Sequence, residues 1–420
     1  MTQNAPVAAP LVAAGPSVAP AAEFTPPPPS RTPGLYRRLQ AGAALALLLL
    51  AVAAALVVSG LRADLAGAPA ITEQYDRLGA VKALAIEADT LTARALLGAG
   101  TPAGAAAAKA ADDRLAEAAG LLVRAAATRT ADAPALAEVS ATLVSYGQQL
   151  RAASAAEGAN RTAALTAAAE VLDGRLLPGV DGLQDALRAE ATGDYAGTVG
   201  WIVPTLAVVV AVALAWISWL VARRSHRAVN LGLAGALVAA LAVGGVTLAA
   251  QQAAAEAGSR SRTEALSSVA ALSDGATAVR TSERLLTRAA LLRQWGPAQQ
   301  AANDAALETA ALAVDADPAV PRLKPYRDAG NRVTGLLAKA DWAGAGALAT
   351  ETADRSLART AARFAQIATE TSQAHVRVAA EAPASTYDGL LGHLAVAELV
   401  ALGGAVLAAF GLAQRLKEYR

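Results

Sequence analysis

Four long apolar runs punctuate the chain, at residues 41–61, 199–222, 231–250 and 389–412, and charged residues are confined almost wholly to the segments between them. Each run is about twenty residues, enough for a helix to cross a hydrocarbon core of roughly 30 Å. The second and third are separated only by the basic turn 223–230, which carries Arg223, Arg224 and Arg227. Short loops rich in arginine stay on the cytoplasmic side, so this turn predicts a membrane hairpin bent inside the cell. The other basic flanks agree, because Arg31, Arg37 and Arg38 precede the first run while Arg415, Lys417 and Arg420 follow the last. Acidic residues mark the opposite ends: Asp64 and Glu256 follow the first and third runs, and Asp194 and Asp388 precede the second and fourth. The pattern predicts a multi-pass plasma-membrane protein with both termini cytoplasmic and two long connections, 62–198 and 251–388, outside.

Within those connections the apolar spacing changes to that of helices packed on one side. Val81, Leu84, Leu91 and Leu97 form a seam that continues the first span, and the stretch 98–102 breaks it. Thr101 and Pro102 can cap a second helix running to about Thr128, and 131–134 opens a third with Leu143, Tyr146 and Leu150. Gly158 and Asn160 break the chain again before a fourth helix with Leu165, Leu172, Leu176, Leu183 and Leu187. The second connection repeats the plan. Residues 286–292 resemble 91–97, both just before a glycine-containing break, and Tyr326 falls where Tyr146 does. The expected fold is an all-α membrane protein: four transmembrane helices and two extracellular antiparallel four-helix bundles, at 62–198 and 251–388, arranged as a tandem repeat. Residues 1–40 are a Pro/Ala-rich cytoplasmic tail expected to be disordered, and 413–420 a short second tail.

Composition sharpens this picture. The chain is 55% hydrophobic but only 4% aromatic, so alanine-rich helices must pack with little area per side chain. A net charge of +1 provides no basic field for nucleic acid. The absence of cysteine excludes disulfides and thiolate chemistry. No phosphate-binding glycine loop, metalloprotease motif or nucleophile elbow occurs, so no enzyme, cofactor or metal centre is expected.

Binding candidates remain. Arg280, Arg284 and Arg288 lie at four-residue steps on one expected helix, and Arg355, Arg359 and Arg363 on another. Such stripes repel themselves unless something acidic faces them: an acidic ligand, an acidic partner, the first bundle, or local carboxylates such as Glu283, Glu351 and Asp354. Trp295 and Trp342 could be contact residues at a bundle tip or fill a core. In the fourth span, Glu398 is expected to face the helix bundle and, with His393 nearer the outer end and Pro204 in the second span, to form helix contacts that report a piston or rotation, with an interfacial place the alternative for His393. Pro204 and the pairs 244–245 and 403–404 permit kinks and close packing. Arg31, Arg37, Arg38, Arg223, Arg224 and Arg227 form the surface available to a cytoplasmic partner.

The leader ending in 30–34, the 91–100 stretch and the four-span, two-bundle plan together resemble the actinobacterial four-span membrane proteins called GlnX. The resemblance implies a relay between an extracytoplasmic amino-acid-binding lipoprotein, GlnH, and the cytoplasmic serine/threonine kinase PknG. It transfers no binding residue. A direct small-molecule sensor and a non-signalling scaffold or transporter accessory are the alternatives, and a homodimer is compatible with each. Paired arginines facing a pocket would favour direct sensing, and an arginine-rich exposed bundle face complementary to a protein would favour the relay.

Overall fold

The computed structural model describes residues 32–192, 201–225, 230–317 and 323–418, which are helical nearly throughout. In the first half, α1 (Thr32–Leu97), α2 (Pro102–Thr128), α3 (Ala133–Ala155), α4 (Gly158–Val171) and α5 (Leu177–Thr192) follow one another, with a π-helical turn, Leu172–Leu176, joining α4 to α5. The second half begins with α6 (Ile202–Ser225), α7 (Leu231–Gly258) and a π-helical stretch, Ser259–Glu264, that leads into α8 (Ala265–Leu292). It ends with α9 (Pro297–Ala316), α10 (Lys324–Ala338), α11 (Trp342–Thr350) and α12 (Leu357–Glu418).

Four of these helices, α1, α6, α7 and α12, are long and apolar enough to cross a membrane. They pack on a shared apolar core: Ala43, Leu47, Leu50 and Ala54 of α1 meet Val203, Ala207 and Leu214 of α6, Ala236, Ala240 and Val243 of α7, and Ala401 and Ala408 of α12. The three- and four-residue steps of the α1 set form a coiled-coil-like seam. Alanine and glycine bring the backbones close, which is how helices associate where no water drives them together. A Cβ on Gly404 would lie 2.5 Å from that of Ala239, and one on Gly232 would lie 2.6 Å from the Gly411 Cα. Gly244 meets Ala207 in the same way, whereas Gly245 and Gly403 face open space. Asn230 fastens this end of the spans: its Oδ1 accepts from the Gly232 and Leu233 amides, capping α7, while its Nδ2 donates to the Gly411 carbonyl at 3.3 Å. Gln40 of α1 donates to the Ala409 carbonyl at 3.1 Å, so α12 is held from two sides. Pro204 makes no mid-span kink. It lies in the first turn of α6, where the missing N–H had no helical acceptor to lose.

Beyond the spans, α1 continues without interruption. Its buried face there is Tyr75, Leu78, Val81, Ala85 and Ala88, closed by Leu122 of α2, Leu143 and Tyr146 of α3, Ala168 of α4, and Leu176 and Val180 further on. Of the expected seam residues, Val81 lies in this face, whereas Leu84, Leu91 and Leu97 are only half-buried. A second core gathers Val279 and Leu286 of α8, Ala310 of α9, Tyr326 and Val333 of α10, and Ala361 and Phe364 of α12. In both halves the tyrosine of the third helical segment reaches the first: Tyr146 donates to the Ala85 carbonyl and Tyr326 to the Val279 carbonyl. The breaks follow local chemistry. Thr101 accepts from the Gly104 amide as the N-cap of α2, Gly100 has φ +83°, and Ser356 accepts from the Arg359 amide to start α12.

Candidate functional site

The two cores meet where α1 runs alongside α8, and that junction is charged. Arg284 donates Nε to Asp89 at 2.9 Å and closes a bidentate pair with Asp173 at 2.7 Å on both arms. Arg288, one turn on, reaches Asp89 at 3.0 Å and the Leu165 carbonyl at 2.8 Å. Arg280 pairs with Glu283 at 3.0 Å and Glu87 at 3.2 Å, and Arg94 of α1 pairs with Glu283 and donates to the Ala349 carbonyl. Asp89 is 1% exposed and Glu283 fully buried. Burial by itself would raise the Asp89 carboxyl, but Arg284 and Arg288 outweigh it and hold the group below its ordinary range. Burial likewise opposes the Arg284 charge, and Asp89 and Asp173 overcome it.

The stripe at Arg280, Arg284 and Arg288 is therefore not a surface awaiting an external partner. Among the four facing groups considered from the sequence, it meets carboxylates of the first half together with local Glu283. Nothing in the sequence singled out Asp89 or Asp173. Asp89 interrupts the buried face of α1, which the sequence pattern could have marked, whereas Asp173 lies in a π-helical turn that only the structure shows.

The other arginines behave differently. A cleft of about 1110 Å³ opens between α10 and the start of α12, lined by Lys324, Asp328 and Arg332 on one side and Asp354, Arg355 and Arg363 on the other. Phe364 and Tyr326 form part of its floor. Arg332 donates to the Arg355 carbonyl at 2.6 Å, tying the two walls through backbone. Lys324 takes Asp328 at 2.8 Å. Among the described residues the guanidinium groups of Arg332, Arg355 and Arg363 have no carboxylate within salt-bridge distance. Arg355, Arg359 and Arg363 do not share one helix as expected: Arg355 lies in the turn before α12, because Ser356 caps the helix that begins at Leu357. Arg359 is exposed but does not line the cleft.

The tryptophans do not form an exposed tip. Trp295 and Trp342 are half-buried against the second core. Glu398 is also corrected. The packed face of α12 is Leu390, Ala397, Ala401, Ala405 and Ala408, and Glu398, about 100° around from Ala397, lies on the exposed face with no hydrogen bond or ion pair among the described residues. His393 Nδ1 is 2.6 Å from the Gly389 carbonyl one turn back. Arg37 and Arg38 are exposed at the start of α1, and Arg223 lies 5.4 Å over the Trp219 ring. Arg224 is within α6, whereas Arg31 and Arg227 lie outside the described residues.

The fold and these sites define a helical protein with four spans long enough for a membrane and an internally ion-paired helical region beyond them. Compared with family models, characterised proteins and solved structures, the chain matches none.

Proposed function

We propose that the chain is a transmembrane signal relay in the plasma membrane. Its two helical units face outward as a tandem repeat of four-helix bundles, and both termini lie in the cytoplasm. The observation that carries this reading is the continuity of α1 and α12, 66 and 62 residues each, from the cores beyond the spans to the basic end of the membrane region. At 1.5 Å per residue each is roughly 90–100 Å long, so a shift of 1–2 Å imposed at one end has an unbroken route to the other. Irregularities fall just beyond the spans: Pro69 within α1 and the π-helical stretch Ser259–Glu264 ahead of α8. Each is a place where a helix can bend or rotate. The repeat is supported by the matching tyrosine bonds and by Thr92 and Thr287, each of which donates to the carbonyl four residues back.

On this reading an extracytoplasmic amino-acid-binding lipoprotein or a small molecule supplies the input, and a cytoplasmic serine/threonine kinase reads Arg37, Arg38, Arg223 and their neighbours. The arginine-lined cleft favours a small-molecule input, as a second form of the same relay.

The test uses the native absence of cysteine. Spin labels at positions 38 and 414, both exposed near the ends of α1 and α12, report the distance between them in lipid nanodiscs. Asp89→Ala loosens the α1–α8 contact roughly 75 Å away along α1. The relay predicts a change of at least about 1 Å in that distance. An unchanged distribution, with the outer helices shown to be loosened by faster hydrogen exchange, would leave the spans as a static anchor.

A further inference from the structure

Arginine is used in two ways in this protein. At the α1–α8 junction each guanidinium has its carboxylate, whereas around the α10–α12 cleft three have none within salt-bridge distance among the described residues. Four cations, Lys324, Arg332, Arg355 and Arg363, face two carboxylates there, Asp328 and Asp354, and Asp328 is already taken by Lys324. Like charges gathered on the walls of one concavity repel, and an anion seated between them relieves that repulsion. Guanidinium forks match carboxylate oxygens in pairs, which a free ammonium does not. The volume, about 1110 Å³, holds a small solute with its water rather than a folded partner.

We propose that this cleft binds a small organic anion with two or more carboxylate groups, bridging Arg332 on α10 to Arg355 and Arg363 at the head of α12. The inference rests on the relay reading for its consequence but not for the site itself. Because α12 runs unbroken from the cleft wall into the fourth span, closing the cleft on a bridging anion pulls directly on a membrane helix. The Arg332 bond to the Arg355 carbonyl already joins the walls, so the ligand tightens an existing clasp.

The probe is citrate, with succinate as the dicarboxylate and acetate at equal ionic strength as the monocarboxylate control. Binding to the full chain in nanodiscs is measured by titration calorimetry. Citrate and succinate are expected to saturate one site per chain and acetate to give no saturable heat. Arg363→Gln and Arg355→Gln are expected to weaken citrate at least about tenfold. Arg359→Gln removes the same charge four residues from Arg363 but outside the cleft, and is expected to weaken it less than about twofold, by screened attraction alone. Circular dichroism on each variant confirms that helix is retained. No saturable citrate or succinate binding overturns the proposal, as does equal weakening by R359Q and R363Q. The spin-label distance between positions 38 and 414 separates the two ideas. Binding that leaves it unchanged keeps the site and removes the coupling, while a distance that responds to Asp89→Ala without any citrate binding keeps the relay and removes the site.

Discussion

Two buried or half-buried aspartates of α1 titrate in opposite senses. Asp89 is held below its ordinary range because Arg284 and Arg288 outweigh burial. Its contribution to stability is therefore full above the unfolded value of about 3.9 and is lost as pH falls through the lower folded value. Asp76 is raised, by burial first, against the hydroxyl of Ser372 that donates to it at 2.5 Å and the charge of Arg77. Its contribution is full below the unfolded value and is lost as pH rises through the folded one. Asp89→Asn is expected to cost about 3 kcal/mol near neutrality, since it leaves two guanidiniums short of a buried partner, and to cost progressively less toward pH 3. Asp76→Asn is expected to raise Tm at pH 7, with the gain shrinking toward pH 4. Thermal melts of both variants across that range check the pair, and parallel pH profiles would contradict the assignment. The charges and spacing of the Arg280 stripe were legible in the sequence, but its partners were not: Asp89 and Asp173 are 195 and 111 residues from Arg284, and no local periodicity couples them.

At the scale of elements, the breaks were legible because each rests on a local rule: the threonine cap at Thr101, the proline after Ala133, the positive φ of Gly100 and of Gly158. What escaped was how closely particular helices approach. On α1, a Cβ at Gly79 would lie 1.8 Å from the Ser273 Oγ and 3.0 Å from its Cβ, so α1 and α8 nearly touch backbones at this level. Rotating the serine clears the first contact but not the second. Gly79→Leu is expected to part the helices and destabilise the protein by about 1–3 kcal/mol. Gly182→Leu, at an exposed site on α5 with nothing within 4 Å, is expected to leave it unchanged or slightly stabilise it through better helix propensity. Chemical denaturation in detergent compares the two, and an equal effect would mean that propensity, not the close approach, decides.

The whole molecule is coupled through the α1–α8 junction, where residues of the first core include Leu266, Val269 and Ala270 from α8. The two halves should thus open together. Asp89→Arg, which sets a cation against Arg284 and Arg288, is expected to speed hydrogen exchange in α3 of one half and in α10 of the other. Acceleration confined to the first half would show that the halves open independently.

The sequence by itself determined the four apolar runs long enough to cross a membrane and the breaks at Thr101, Pro134 and Gly158, because each depends on side chains within one or two turns of one another and on transfer of an apolar run out of water. It did not determine that α1 begins at Thr32, within the tail expected to be disordered. Only the tertiary structure decided where the polar groups go. It turned Glu398 to the exposed face of α12 by packing an alanine stripe inward, buried one arginine stripe against carboxylates far away in the chain, and set Arg355 and Arg363, but not Arg359, on the wall of a cleft. Burial, pairing and exposure are properties of what comes to lie opposite a residue, and for Arg284 and Arg288 that is a carboxylate on a helix from the other half.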